Sequence, residues 1–334
     1  MKTAIVILNY NGIKLLQQFL PKLCLYSDRP NTEIIVADNN SNDNSVTYIQ
    51  QNFPNVKTIV FEKNWGFAEG YNRALSQVEA EYFILLNSDV EVTENWLSLI
   101  DYLDENPDIC ACQPKIKSWE NRNSFEYAGA CGGFIDKYGY PFCRGRIFEN
   151  IEIDQNQYES SIDIFWATGA CLAIRAKDFK ECGGFDTNFF AHMEEIDLCW
   201  RLQLKGKRIT CFPRSSVYHI GAKTLNKGNP LKTYLNFRNN LLMLYKNLPR
   251  RKIFRIVFIR FWLDYIVLLK NLLCGHIKDA KAILKARIHY QKMKKYYIPT
   301  EKKKEINTIY QRSIIVDYYI LRQRKFSDLY KKRG

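Results

Sequence analysis

Unbroken apolar runs alternate with stretches whose apolar residues recur every three or four positions through the first ninety or so residues. Thr3 to Leu8, Glu33 to Ala37, Lys57 to Phe61 and Tyr82 to Leu86 are short and bounded by Asn, Asp, Gly or Pro, as strands buried on both faces are. Gly12 to Tyr26, Ser45 to Phe53 and Ala68 to Gln77 have helical spacing, and Pro54 stops the second of them. This alternation predicts right-handed crossovers and a doubly wound, mostly parallel α/β sheet with flanking helices. Such a sheet gathers ligands outside the carboxyl ends of its strands.

Polar residues cluster at those ends. Strand one runs into Asn9, Tyr10, Asn11 and Gly12, strand two into Asp38, Asn39, Asn40 and Ser41, strand three into Asn64, Trp65 and Gly66, and strand four into Asn87, Ser88 and Asp89. Each tip alone reads as ordinary turn and cap chemistry. Four on one edge point to a site. A carboxylate at a strand tip beside Asn-rich loops suits a cation bridging a diphosphate, which makes Asp89 the first candidate ligand.

Farther along, Glu194 to Gly206 reads as an amphipathic helix with Glu194, Glu195 and Asp197 in its first turn, more carboxylates than capping requires. A carboxylate on a helix facing the diphosphate can deprotonate an attacking hydroxyl. Lys207 to Pro213 reads as a short strand, followed by Ser215 to Ile220 with His219, one of only four histidines.

Charge divides the chain. The net +14 resolves into 26 Lys/Arg against 6 Asp/Glu in residues 231–334, and 23 against 29 before them. A mildly acidic domain over residues 1–230 and a basic helical extension over 231–334 are expected, the extension meeting an anionic surface. Within it, Ile253 to Leu273 is apolar enough to suggest a membrane span, but Arg255, Arg260, Asp264 and Lys270 interrupt it. Arg260, Asp264 and Asn271 share one side of a helical wheel, whereas Phe254, Phe258, Trp262, Ile266 and Leu269 occupy much of the rest. That pattern fits a helix lying in a membrane interface, or one packing on the core. Basic runs at Lys302 to Lys304 and Lys331 to Arg333 follow. The ten cysteines form no CxxC pair and read as reduced thiols, and the amino-terminal run lacks a signal-peptide cleavage pattern, so a cytoplasmic location is expected.

The ordered runs IVILNYNG, VADNNSNDNS, NWGFAEGYNRAL, ILLNSDVEV, the stretch from Gly169 through Gly206, and VYHIG resemble the successive motifs of family-2 inverting glycosyltransferases of the GT-A fold, and especially their bacterial rhamnosyltransferase-like branch. The resemblance spans residues 1 to about 225. It implies a nucleoside-diphosphate sugar donor, a glycan or lipid-linked acceptor in cell-surface polysaccharide synthesis, and Mg²⁺ or Mn²⁺. By position, Asn9, Asn11, Asp38, Asn40, Gly66, Asn72, Asn87 and Ser88 would bind the nucleotide, Asn87 standing where relatives have the first Asp of an Asp-x-Asp motif. Asp89 and His219 would hold the metal. Glu195 matches the catalytic base, with Glu194 the alternative, and Trp166, Thr168, Gly169, Asp197 and Arg201 would line the acceptor side. The resemblance also places the protein on the inner face of the cytoplasmic membrane through its extension.

Two other classes bear on the same features. A sugar-1-phosphate nucleotidyltransferase would carry a Gly- and Arg/Lys-rich loop after strand one, where Asn11, Gly12, Ile13 and Lys14 supply a single glycine. A nucleic-acid-binding protein would use the basic tail, but no reading motif accompanies the charge, and no nucleic-acid partner is expected.

Overall fold

The four apolar runs pair as strands β1 (Thr3–Asn9), β2 (Thr32–Asp38), β3 (Lys57–Val60) and β4 (Tyr82–Leu86), with helices α1 (Ile13–Tyr26), α2 (Ser45–Asn52) and α3 (Gly66–Ser76) between them. All three pairings are parallel, in the order β4-β1-β2-β3. β4 is buried along its whole length. Its Phe83 and Leu85 enter one apolar layer, and Tyr82, Ile84 and Leu86 enter the other. The coordinates are a computed structural model and describe residues 1–221, 229–299 and 306–330.

The sheet continues through segments whose pattern gave no clear strand signal. β5 (Val90–Val92), α4 (Ser98–Glu105) and β6 (Ile109–Ser118) follow β4. A small second sheet is built from β7 (Gly133–Asp136), β8 (Pro141–Cys143), β9 (Arg146–Ile147) and β10 (Asn150–Ile151). β11 (Ile162–Asp163), β12 (Cys171–Arg175), α5 (Ala176–Glu181), α6 (Glu194–Leu204) and β13 (Arg208–His219) complete the main sheet, ordered β11-β13-β6-β12-β4-β1-β2-β3 with β5 against β13. β12 runs antiparallel between β4 and β6, so the sheet is mixed. The short strand expected from Lys207 to Pro213 runs on to His219 as one strand, β13, whose register against β6 shifts between Phe212 and Ser216. That irregularity absorbs Pro213, which cannot donate to a ladder.

Three helices follow: α7 (Pro230–Asn247), α8 (Arg250–Leu273) and α9 (Ile277–Met293). α7 starts cleanly because Asn229 accepts a hydrogen bond from Leu231 N and Pro230 occupies the first turn, where a missing N–H costs nothing. These helices share the core with the sheet: Leu241, Leu242, Ile253 and Tyr290 belong to the same buried cluster as Phe83 and Trp200. Beyond them β14 (Ile309–Tyr310) pairs with β7, and Phe326 stacks near Phe134 and Phe142. The basic runs at 302–304 and 331–333 lie outside the described residues.

α8 is turned opposite to an ordinary surface helix. Its charged Arg260 and Asp264 are 2% and 0% exposed, while Phe254, Trp262, Ile266 and Leu273 are 83%, 57%, 63% and 80% exposed. Arg260 and Asp264 bond each other, Arg287 of α9 closes on Asp264 at 2.6 Å, and Arg260 also reaches Asn240 and Tyr138 O. Among the described residues, no helix is long and apolar enough to cross a membrane.

Candidate active site

The parallel register sets the first part of the site. Asn9 and Asp38 are direct partners at the ends of β1 and β2, and Asn9 Nδ2 donates to Asp38 Oδ2 at 2.8 Å. Asp38 accepts from Ser41 N and Ser41 Oγ, closing a tight turn, and Ser41 Oγ accepts in turn from Asn11 N at 2.8 Å. Asn11 Oδ1 takes Asn42 N, so the β1 and β2 loops are laced together. Asn9 is fully buried, yet its Oδ1 has no partner. An orphaned buried amide oxygen is costly, and a bound donor group satisfies it. Gly12 follows for a steric reason: a Cβ there would lie 2.3 Å from Asn9 Oδ1.

Asn39, buried beside Asp38, carries the cradle across to α3. Its Nδ2 donates to Asn64 Oδ1 and Gly66 O, and its Oδ1 accepts from Trp65 N. Gly66 has φ 75°, and a Cβ on it would meet the Phe190 ring at 2.6 Å. Phe190 O in turn accepts from Phe67 N and Ala68 N, the free amides of the first turn of α3. The loop before α6 is thereby pinned to the start of α3.

Pairing of β13 with β5 places His219 opposite Val90, the neighbour of Asp89. His219 Nε2 lies 3.1 Å from Asp89 Oδ1, with both side chains almost fully buried, and Glu126 Oε2 lies 3.5 Å from the other ring nitrogen. Burial alone would lower the pKa of His219, but the two carboxylates outweigh it and raise it to about 10. Burial would raise Asp89, yet the His219 contact holds it below the usual carboxylate range. A carboxylate oxygen and an imidazole nitrogen converging, with a second carboxylate at the other ring nitrogen, would suit a divalent cation once that cation displaces the ring proton. Among the described residues no group of three or more His, Cys, Asp or Glu side chains converges on one point. The remaining ligands would then be substrate or water oxygens.

Glu194 and Glu195 begin α6 after three residues of left-handed backbone, Phe190, His192 and Met193, at φ 65°, 68° and 73°. Such conformations persist only when neighbours enforce them. Here α7 does so: Asn239 Nδ2 reaches the carbonyls of Phe189, Ala191 and His192 within 2.9 Å, and Arg238 Nη2 reaches those of Asn188 and Phe189. Glu194 is buried, Glu195 keeps an exposed edge, and the Oε2 of each is shut from solvent without a partner. Burial pushes Glu195 up to about 7, and burial plus its neighbour raises Glu194 well above its usual value. The favourable helix N-terminus does not keep Glu195 strongly acidic, because desolvation outweighs it.

Residues 4–183 match Glycosyl transferase family 2, more than half of the chain. The chain belongs to this family. It is 25% identical over 238 residues to the N-acetylglucosaminyl-diphospho-decaprenol L-rhamnosyltransferase of Mycobacterium tuberculosis, covering 67% of this chain and 77% of that one. To the rhamnosyltransferase WbbL of Escherichia coli K12 it is 24% identical over 57% of this chain and 72% of WbbL. The fold matches solved GT-A glycosyltransferases. The mannosyltransferase PcManGT of Pyrobaculum calidifontis, solved with GDP-Man and Mn²⁺, superposes with a TM-score of 0.54 at 13% identity, over 87% of both chains. GalNAc-T7 with UDP, GalNAc and Mn²⁺ gives 0.58 at 18% identity, over 74% of this chain and about half (48%) of that one.

Within this glycosyltransferase the expected residues are not all at the cleft. Asn9, Asn11, Asp38 and Gly66 form the laced edge, and Asn40 stands exposed on it at φ 64°. Asn87 N donates to Ala170 O, which sets Thr168 and Gly169 beside the β4 tip, and Ser88 Oγ lies 3.8 Å from the Cβ position of Gly12. Others are committed elsewhere. Asn72 exchanges both amide bonds with the backbone of Phe185, and so holds the 182–185 turn rather than a nucleotide. Trp166 is buried and donates to Phe134 O. Asp197 is fully buried between Arg201, Lys246 and Asn247, a tie from α6 to α7, and Arg201 spends its other donors on the carbonyls of Cys182 and Gly184. Sequence reading placed Asn39 at the strand-two tip without a role and overlooked Glu126, Arg238 and Asn239. Only Asn39 had a signal, its place between Asp38 and Asn40.

Proposed function

We propose that the protein is an inverting transferase that moves a hexosyl unit, with rhamnose the first candidate, from a nucleoside-diphosphate sugar to a hydroxyl of a glycan or lipid-linked acceptor. The observation that carries this reading is the joining of two halves on one sheet edge. The Asn9–Asp38–Ser41 cradle and the Asp89–His219 pair stand at the carboxyl ends of β1, β2 and β4, and Gly66 against Phe190 ties the loop before Glu194 and Glu195 to the same edge. Rhamnose rests on the activities named for the relatives above.

Glu195 is the base. With a pKa near neutrality it takes the acceptor hydroxyl proton without being held permanently ionised. Glu194, buried beside it and pushed well above its usual value by burial and by Glu195, disfavours a second charge on the pair. The deprotonated oxygen attacks the anomeric carbon from the α6 side as the diphosphate leaves toward the β4 tip, so one displacement inverts the centre. Asp89 and His219 would hold Mg²⁺ or Mn²⁺, which when bound neutralises charge growing on the leaving diphosphate. Asn9 and the β1–β2 loops orient the nucleotide.

The outward apolar face of α8 and the basic surroundings of residues 231–334 support peripheral contact with an anionic membrane. Replacing Glu195 by Gln tests the catalytic reading. Transfer is expected to fall by about 10²–10⁴ with donor affinity near wild type, the range for loss of a positioned base. Turnover within a few-fold of wild type removes Glu195 from the role.

A further inference from the structure

A cavity of about 530 Å³ lies between α8 and α9, walled by Ile253, Val257, Phe258, Phe261 and Tyr290, with Tyr245 of α7 at one side. Three cations share the wall, Arg250, Lys294 and Arg287, the last of them paired with Asp264. Arg250 is exposed and Lys294 half-buried, and neither joins an ion pair among the described residues. The cavity is continuous with an exposed aromatic row. Phe254 and Phe258, both on its wall, lie 6.3 Å apart between ring centroids, and Trp262 follows at 6.4 Å. Wet aromatic surface on this scale is unfavourable unless something apolar covers it.

An apolar hollow opening onto an apolar face beside two unpaired cations has the pattern of an amphiphile with a hydrocarbon chain and an anionic head. We propose that this cavity binds the lipid-linked acceptor itself, its hydrocarbon chain between α8 and α9 and its phosphate against Arg250 and Lys294. The proposal rests on the transferase reading above. The link to catalysis decides between this occupant and bulk phospholipid. Tyr245 on the wall is followed by Lys246, whose Nζ lies 2.9 Å from Asp197 Oδ2 and 2.8 Å from Asp186 Oδ2, and Asp197 is two residues from Glu195 in the same helix. The cavity is built on the helix that braces the base. α7 thus joins lipid and acceptor sugar in one frame, and the buried Arg260–Asp264–Arg287 cluster fixes the rotation of α8 that opens the hollow outward.

The experiment uses the full chain, neutral phosphatidylcholine vesicles, and two acceptor analogues that carry the same sugar diphosphate on a long or a short soluble alkyl chain. A photoreactive diazirine on the long chain is expected to label residues within 253–261 and 287–294. Val257→Trp, which fills the cavity, and the separate pair Arg250→Glu with Lys294→Glu are each expected to raise KM for the long-chain acceptor about tenfold, the scale of one to two methylenes of lost burial. KM for the short-chain acceptor stays unchanged in Val257→Trp and rises in the charge pair, because both analogues carry the diphosphate, and KM for the donor stays unchanged in all of them. Labelling elsewhere, an unmoved KM in both variants, or labelling by a diazirine phosphatidylglycerol that excess acceptor does not displace each overturns the proposal. Should Val257→Trp misfold, the charge variants and the wild-type labelling still decide. Absence of transfer to either acceptor with labelling intact sinks the transferase reading and leaves the cavity assignment standing.

Discussion

α6 and α8 solve one packing problem in opposite directions. Each buries an aspartate among basic side chains: Asp197 with Arg201 and Lys246, helped by the Asn247 amide, and Asp264 with Arg260 and Arg287. Each thereby exposes a face that is costly on its own. α6 leaves two desolvated carboxyl groups unpartnered in its first turn, and α8 turns an aromatic row outward. Buried ion clusters add little net stability, but they are satisfied in only one helix rotation, and breaking them leaves charge stranded. In both helices the cluster acts as a register pin, and what the pinned face presents is what differs.

Removing the pin in α8 has the largest expected effect. Asp264→Ala strands Arg260 and Arg287 in the core and should cost about 3–5 kcal/mol of folding stability, read from denaturant midpoints. Replacing the triad with Met and Leu of similar volume should restore stability. A single Asp264→Ala within 1 kcal/mol of wild type, roughly the size of a surface change, would mean that the cluster pins nothing.

The same comparison shows where sequence reading stops. Period and turn chemistry sufficed for β1 to β4 and α1 to α3, because most apolar residues there have a buried destination that their spacing encodes, Leu25 and Val60 being exposed exceptions. The tip residues were legible for the same reason: they interrupt runs that nothing else would interrupt. The region from Ile109 to Arg175 was not, since strands of two to five residues such as β8, β9 and β11 have too few positions to display alternation. α8 inverts the rule. Its wheel correctly grouped Arg260 with Asp264, but only the partners on α7 and α9, many residues away, make the charged side the inner one. Asn72 and Asp197 occupied the places where the family resemblance sets ligand contacts, yet their bonds go to Phe185 and to α7, long-range partners that local spacing cannot reveal.

The α6 side is broken next by Asn239→Ala. Loss of its bonds to the carbonyls of Phe189, Ala191 and His192 should release the left-handed turn, at about 1–3 kcal/mol for the unsatisfied groups. Asn239 is a positioning residue, so kcat should fall about tenfold or more while donor KM stays level. An equal change in both constants would point to general unfolding.

Acidity distinguishes the two helices further. With Glu195 raised to about 7 by burial, the acid limb of kcat should bend near that pH and fall about tenfold per pH unit below it, with a plateau on the alkaline side. His192, pushed down to about 4 by burial, stays neutral across that window and adds no limb there. The stability sign is opposite to that of a paired carboxylate. A folded pKa above the unfolded value gives stability that is complete below about 4.5 and declines as pH rises through 7. Glu195→Gln should flatten that decline, and an unchanged pH profile of stability in the variant would assign the limb to another group.

The smallest effect on folding belongs to the outer face of α8. Phe254 is 83% exposed and Leu273 80%, so Phe254→Ser and Leu273→Ser remove apolar area that is already wet. Stability should move by no more than about 0.5 kcal/mol, as for surface positions without special bonds. Partition onto anionic vesicles should nonetheless weaken, since each side chain transferred into the acyl boundary contributes about 1.5–3 kcal/mol when fully buried. Sedimentation with vesicles at two salt concentrations separates the contributions: salt weakens the basic attraction and leaves the aromatic part in place. If both serine variants sediment like wild type at high salt, the face that the Asp264 cluster turns outward is covered by something other than lipid, and the parallel with α6 loses its functional half.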